Sequence, residues 1–497
     1  MPEGIRTIAD LLKSEITPKT PRESLRFRIE DELKLGRERG EDRLESIQRL
    51  FPTTILDDDI LLSFTAALLS GNHVLLFGPP GSGKTNLAKD IWNLLPKEVW
   101  VVADCPVQDD PFSLVDSGFS SKISPCPFCK SKYGQMDGDA DSSDFSVDRV
   151  DPSKVPVKKV TLREGFGLSR VQGSPEVFPD NLTGTINLHK LEDIGDPTNP
   201  LVLQPGKLLQ ANRGLLLIDE ISKLPLGTQS VLLQCLQEGT VSPAKSRETY
   251  PASFLAIATS NLDDLDNLTE PLNDRLTNIH VGFSMDHEKN MSIIRLAMSD
   301  GKRGVFIPEI FKEASAHFIE SWREVSGKIY EFAEVGSNRT MIDIVTRSES
   351  YAVVSGKRSV GVAHFRRGVR DAMLGRIRAR GEESFLQNSR AIESFVDEQL
   401  ELQLKRAGEN YWCRFFRESL GSDRSKGERA LSALDSSVRD PRVIKTLIQD
   451  RKSPAGRFTR YILDREGPNC PVADTTVIST VFSNLSSLKV FQCPDEP

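Results

Sequence analysis

The sequence predicts an α/β protein, a parallel sheet covered by helices and followed by a mostly helical second half. Three observations carry that expectation. First, a strand-length apolar run, HVLLF (73–77), leads through the glycine-rich turn GPPGSGKT (78–85) into the helical pattern NLAKDIWNLL (86–95). Strand, turn and helix in that order open a parallel α/β unit. Second, VWVVA (99–103), LLLID (215–219) and FLAIAT (254–259) are continuous apolar runs, each followed by polar punctuation and a helical pattern. Strands covered on both faces read this way, so all of them are expected in one parallel sheet. Third, the pattern turns helical from about residue 285, as in IFKEASAHFIESWREV (310–325) and FRRGVRDAMLGRIRAR (365–380).

Taken in order, residues 1–50 are charged and helix-prone, with a proline break at TPKTP (17–21), and read as a charged, solvated helical extension or an oligomer arm. ILLSFTAALLSG (60–71) is a short apolar helix ended by Gly71. The α/β core is expected over 51–284, interrupted at 105–160 by an insertion rich in Cys and Asp. A helical lid is expected over 285–384, and 385–497 form a C-terminal region without an assigned role. Within it TTVISTVFSNLSSLKVFQ (475–492) suggests a small helix-plus-strand element.

Composition narrows the function classes. The chain has 497 residues, enough for about three domains. Sixty-four Lys and Arg against 71 Asp and Glu leave a net charge of −7, which disfavours a dedicated nucleic-acid coat or a polybasic membrane binder. There is no long apolar run, and charges enter every turn of the N-terminus, so neither a membrane span nor a signal peptide is expected. Seven cysteines, an odd number, do not make a secreted disulfide framework. The expected compartment is the cytoplasm.

GPPGSGKT matches the phosphate-binding pattern GxxxxGKT between a strand and a helix. Gly78, Gly81 and Gly83 let the backbone of Gly78-Pro79-Pro80-Gly81-Ser82-Gly83 turn its N–H groups toward an anion at a helix N-terminus. Lys84 would reach the β- and γ-phosphates of ATP, and Thr85 would ligate Mg2+. LLLIDE (215–220) supplies the partner: Asp219 ends a buried strand and can hold the Mg2+ water shell, and Glu220 can polarise the attacking water as general base. FLAIATSN ends in Asn261, placed to bond that water or the γ-phosphate. EPLNDR (270–275) presents Arg275, whose planar fork suits transition-state phosphate charge.

Together these residues resemble the AAA+ ATPase superfamily, with GPPGSGKT as Walker A, LLLIDE as Walker B, Asn261 as sensor 1 and Arg275 as arginine finger. The resemblance implies that Arg275 acts across a subunit boundary, so that catalysis needs a homo-oligomeric ring, a hexamer. GSNRTMIDI (336–344) resembles a sensor 2 segment, with Arg339 its arginine. Over roughly 55–345, DNLTGTINLHKLEDIG (180–195) and LQPGKLLQANRGLLLIDE (203–220) are similar to the magnesium-chelatase I-subunit and MoxR-like group. That group carries a hairpin or helix insert before Walker B, here at 180–205, and implies a protein client, such as a von Willebrand A-domain partner. CPVQDDPFSL (105–114) followed by CPFC (126–129) is similar to the AAA domain of the PrkA serine-kinase family, whose cysteine-containing insertion explains the long interval between Lys84 and Asp219. The full Asp219–Glu220 pair departs from the PrkA pattern and favours hydrolysis over protein phosphorylation.

Cys126 and Cys129 form a CxxC knuckle and Cys105 lies 21 positions before it. Thiolates at this spacing suit tetrahedral zinc, for which Asp109, Asp110 or a remote cysteine could be the fourth ligand. Two readings stand side by side, a zinc-stabilised insertion and unliganded thiols in a reducing compartment. DGDADSSD (137–144) sets Asp137, Asp139 and Asp141 in a calcium-loop pattern, but Ser142 stands where glycine is required and Asp148 where glutamate is, so the calcium reading is rejected. FRRGVRDAMLGRIRAR reads as an amphipathic helix with a charged outer face; a subunit contact or a nucleic-acid stripe are its alternatives. The leading function is a ring ATPase acting on a partner protein. A PrkA-like kinase or regulator stands second and a nucleic-acid translocase third.

Overall fold

The structure is a computed structural model. It describes residues 5–134, 145–196, 199–243, 248–298, 304–325, 336–373, 376, 385–420, 440–450, 452–466 and 470–490. The acidic calcium-like stretch 137–144 lies outside them. The chain forms two compact units, Met1–Gly282 and Phe283–Pro497.

The strands of the first unit are β1 (His73–Phe77), β2 (Glu98–Val102), β3 (Val157–Thr161), β4 (Arg163–Glu164), β5 (Gly167–Gln172), β6 (Gly184–Ile186), β7 (Leu203–Pro205), β8 (Leu215–Asp219), β9 (Thr240–Val241), β10 (Tyr250–Pro251), β11 (Leu255–Ser260) and β12 (Leu276–His280). The main sheet runs β12-β1-β11-β8-β5-β4. The pairs β12–β1, β1–β11, β11–β8 and β8–β5 are all parallel. Val74, Leu76, Leu215 and Ile257 face one core beneath this sheet, and Leu75, Leu216, Ile218 and Ala256 face another. Burial of both faces is why these strands read as unbroken apolar runs.

One expectation is corrected. The run Val99–Ala103 does not join the parallel sheet: β2 pairs antiparallel with β3 in a separate two-stranded ribbon. The place beside β8 goes to β5, GLSRVQ, whose burial alternates rather than running unbroken. Ser169 and Val171 are buried and Arg170 and Gln172 exposed, so a search for continuous apolar runs passes over it.

The charged N-terminus is built into this unit. Thr20 caps the helix Pro21–Glu38: its hydroxyl accepts from the Glu23 amide at 3.2 Å and its own amide donates to Glu23 at 2.9 Å, with Pro21 at the first helical position. Leu25 and Ile29 of that helix pack with Ile47, Phe64 and Leu68. At 180–205, β6 and β7 close an antiparallel hairpin around the short helix Leu188–Ile194, where the insert was expected.

In the second unit the helices His287–Met298, Glu309–Val325, Asn338–Val354, Val362–Met373, Phe385–Phe415, Pro454–Glu466 and Asp474–Leu488 share one core. Phe311, Phe365, Trp412, Phe458 and Phe482 lie in it, with the Trp412 and Phe458 rings 5.1 Å apart, edge to face. Of the run 475–492, the described residues to 490 form a helix to Leu488 with no strand among them, and 491–492 lie outside the described residues. No helix among the described residues is long and apolar enough to cross a membrane.

Candidate active site

Strand register gathers the site. Phe77 lies beside Ser260, and Ala258 beside Ile218, so β1, β11 and β8 end along one edge of the sheet. The loops that follow β1 and β11 carry 78–85 and Asn261, and β8 ends in Asp219 with Glu220 next. Ligands of open parallel sheets sit outside this carboxyl edge. The Gly78 amide donates to the Ser260 carbonyl at 3.2 Å and fastens the phosphate loop to β11. Gly78 has φ +148°, and a Cβ there would stand 2.3 Å from the Val281 carbonyl oxygen, so only glycine lets the loop leave β1 here.

Lys84 opens the helix Lys84–Leu94 and is buried. Its Nζ donates to the Gly78 and Pro79 carbonyls at 2.8 and 2.7 Å. Burial lowers its pKa to about 8, against the pull of the Asp219 and Glu220 carboxylates. Thr85 next to it is half-buried. The buried Ser82 hydroxyl has no hydrogen-bond partner. An orphaned donor, a cationic side chain and a turn of glycines fit a polyanion, and Thr85 with the carboxylate of Asp219 fits a hard divalent cation.

Asp219 and Glu220 are held by residues that motif reading did not find. Thr259 Oγ1 donates to Asp219 Oδ1 at 3.3 Å and accepts from the Glu220 amide at 3.1 Å. Arg170 Nε donates to Asp219 Oδ2 at 2.9 Å, and Gln172 Nε2 to Glu220 Oε2 at 3.0 Å. Glu220 itself takes left-handed backbone angles, φ +54° and ψ +48°, which are uncommon for a non-glycine residue and cluster at functional sites. Gly173 makes room for this turn, since a Cβ there would meet the Glu220 carbonyl oxygen at 2.0 Å. Asn261 is half-buried, its Nδ2 3.4 Å from Asp264.

Arg275 is not brought to this edge. It precedes Leu276, which pairs with His73 at the start of β1, whereas the loop leaves β1 beside His280. Four residues of strand separate the two edges, roughly 13 Å. Arg275 is exposed and 3.4 Å from Gln237.

Residues 69–320 match the family model of the PrkA AAA domain, and the match spans the phosphate loop, Asp219–Glu220 and Asn261. The chain belongs to the PrkA AAA domain family. It is also 27% identical over 282 residues to the magnesium-chelatase 67 kDa subunit of Heliobacterium mobile, over 56% of this chain and 35% of that one. Over 140 residues it is 32% identical to the chaperone MoxR1 of Mycobacterium tuberculosis, over 27% of this chain and 34% of that protein. The chain thus spans about a third of the length of either relative. A cryo-EM-based structure of the complex between magnesium-chelatase subunits BchI and BchD is similar at 19% identity and TM-score 0.33, over 70% of this chain and 98% of that one. This PrkA-type AAA+ chain therefore has chelatase and MoxR relatives.

The insertion at 105–160 brings its three cysteines together. Cys105, Cys126 and Cys129 are all buried, and Cys105 Sγ lies 3.6 Å from Cys126 Sγ. Asp109 joins them, and the four ligand atoms all lie within 4.8 Å of one another. Burial pushes the Cys105 thiol up, but hydrogen bonds from Cys126, Cys129 and the Asp109 amide outweigh it and bring it to about 4. Burial and the Cys105 charge raise Asp109 to about 7. Asp110 is engaged elsewhere, in a buried ion pair with Arg213 at 2.6 Å. In the second unit, Arg339 is exposed at the start of the helix Asn338–Val354.

Proposed function

We propose that this PrkA-type AAA+ chain is a Mg2+-dependent ATPase that assembles into a homo-oligomeric ring, a hexamer, and uses hydrolysis to remodel or activate a client protein in the cytoplasm. The observation that carries this reading is the split between the two sheet edges. The phosphate loop, Asp219, Glu220 and Asn261 share one edge, and Arg275 stands exposed at the other. A chain with a cradle at one edge and an exposed guanidinium at the other is suited to head-to-tail closure, in which each Arg275 serves its neighbour's nucleotide.

The amides of 78–83 and Lys84 bind and orient the β- and γ-phosphates. Thr85 and Asp219 hold Mg2+, which neutralises phosphate charge. Glu220 takes the proton of the attacking water, and Asn261 positions that water. Arg170 and Gln172 hold the two carboxylates in place and act as positioning residues. The helical segment 285–384 is the lid domain in this reading, with Arg339 its sensor arginine, and 385–497 carry no assigned role. The Cys105, Cys126 and Cys129 knuckle holds a structural zinc ion. A von Willebrand A-domain protein is the client class that the chelatase and MoxR relatives suggest. The PrkA family match favours one second reading, a serine kinase or regulator; transfer of labelled γ-phosphate to a protein serine would put it first.

Subunit mixing tests the ring. Lys84→Ala and Arg275→Ala should each abolish steady-state ATP turnover alone, and an equimolar mixture should recover it, because mixed interfaces pair an intact loop with an intact finger. Arg275→Ala that assembles and turns over at the wild-type rate overturns the trans assignment.

A further inference from the structure

We propose that Cys105, Asp109, Cys126 and Cys129 form a closed tetrahedral zinc site, with the Asp109 carboxylate as fourth ligand, and that this ion fastens the insertion and the N-terminal segment to the α/β unit. The proposal rests on the zinc-bearing insertion of the proposed function and adds the ligand that the spacing of cysteines leaves open.

The geometry selects Asp109 over its rivals. Zinc–sulfur bonds of about 2.3 Å in a tetrahedron place sulfurs roughly 3.8 Å apart. The Cys105 and Cys126 sulfurs lie 3.6 Å apart without being bonded, close to such an edge. Asp109 is 1% exposed. Its Oδ2 accepts from the Cys126 amide at 2.6 Å, which fixes the carboxylate against the knuckle. Its Oδ1 is buried without any hydrogen-bond partner. A buried carboxylate oxygen left unpaired costs free energy unless a cation takes it. Asp110 is held by Arg213, and Cys235 does not belong to the cluster. Amide donors also sit where metal thiolates need them, with the Asp109 N–H 3.3 Å from Cys105 Sγ.

The site knits together segments far apart in sequence. Cys105 and Asp109 lie in the turn after β2, where the Asp109 carbonyl accepts from the Val102 amide at 3.1 Å. Cys126 caps the helix Pro127–Tyr133, which carries Cys129 in its first turn. The three cysteines pack in one cluster with Ile8, Val150, Val155 and Val157. The amides of Ile8 and Ala9 donate to the carbonyls of Val155 and Pro152 at 3.1 and 3.0 Å. Four protein ligands leave no open position, so the ion is structural rather than hydrolytic.

The test uses the whole 497-residue chain. Elemental analysis after expression with zinc should find one zinc per chain, and Cys126→Ser should lose it. Asp109→Ala should release zinc at a chelator concentration at least tenfold lower than wild type, and Asp109→Cys should restore one zinc. Should these variants fail to fold, Co2+ titration of the wild-type chain reads the same point, since the intensity of its thiolate charge-transfer band counts three Co–S bonds. Zinc-free wild type overturns the site. Asp109→Ala with wild-type zinc affinity overturns the fourth ligand. Nucleotide plays no part in either readout, so zinc-free protein that turns over ATP refutes this site alone. Zinc-loaded protein without turnover refutes the ATPase reading alone.

Discussion

The two units use the same ionisable residues for opposite purposes. In the first, Lys84 opens the helix that follows β1, and Asp219 and Glu220 stand at the end of β8, each held by a few neighbours at the sheet edge. In the second, charges are taken inside a helical core and consumed there. Glu313, 0% exposed, faces His317 at 3.7 Å and Arg414 at 3.6 Å and accepts from Asn410 at 3.1 Å. Glu320 is contacted by His287, His317 and Asn290, whose hydrogen bonds overcome burial and hold its carboxyl far below the usual range. Arg323 donates to the Gly336 and Ser284 carbonyls and stacks on Phe283, with burial lowering its pKa to about 10. The lesson is that a perturbed, buried charge does not by itself mark a reactive site. What separates the units is the backbone that presents the charge: loop ends at one sheet edge in the first, facing helices in the second.

The largest effects test that contrast directly. Glu220→Gln should lower kcat by about 10²- to 10⁴-fold, the usual contribution of a general base, with ATP affinity and thermal stability little changed. The same exchange at Glu313→Gln should do the reverse. Breaking a buried ion pair costs roughly 3–5 kcal/mol, read as a lower denaturant midpoint, while turnover per folded molecule stays near wild type. If Glu220→Gln destabilises as much as Glu313→Gln, the contrast between the units fails.

A pH dependence follows from the second unit. Burial, and then the charge of Glu309, raise the Glu466 carboxyl from 4.5 to about 7, against the pull of Lys312 and the Glu309 amide. A carboxyl whose folded pKa is raised favours folding in its protonated form. Its contribution is complete below about pH 4.5 and is lost as pH rises to about 7. The shift corresponds to about 3 kcal/mol. Glu466→Gln should flatten the wild-type decline in stability across that window, measured by denaturant unfolding at successive pH values. A variant whose decline matches wild type removes Glu466 as its cause.

The legible part of the molecule was that in which one local pattern sufficed. Gly78–Thr85, Asp219, Glu220 and Asn261 each follow a strand whose two-sided burial leaves an unbroken apolar run. Arg170 and Gln172 were missed because they share β5 with buried Ser169 and Val171, an alternating strand without a motif. Val99–Ala103 misled because its apolar run belongs to a ribbon with β3, a partner more than fifty residues away in the sequence. The cysteines declared a metal-like knuckle, but choosing Asp109 over Asp110 needed the fold, which ties Asp110 to Arg213. The N-terminal helices read as a solvated extension because charges outnumber the few buried positions, Leu25 and Ile29 among them.

The smallest effect concerns the arginine-rich stretch 365–380, for which the sequence left a nucleic-acid stripe open. Its described part is the end of the helix Val362–Met373 and residue 376, and the rest lies outside the described residues. Arg366 and Arg370 make two-pronged pairs with Glu401 and Asp397, with Arg370 contacts of 2.7 and 2.8 Å. Arg367 lies over the Tyr351 ring at 4.8 Å. These guanidiniums are thus engaged within the chain, on the outer side of a helix that packs Phe365 and Val369 inward. Both members of the Arg370–Asp397 pair are more than 40% exposed, so solvent and salt screen it. A double-mutant cycle of Arg370→Ala and Asp397→Ala should give a coupling of about 0.2–1 kcal/mol, shrinking as salt is added. ATP turnover should not move. A coupling of several kcal/mol would place a functional charge network in the second unit, and loss of salt-dependent DNA binding in Arg370→Ala would return the stripe to nucleic acid.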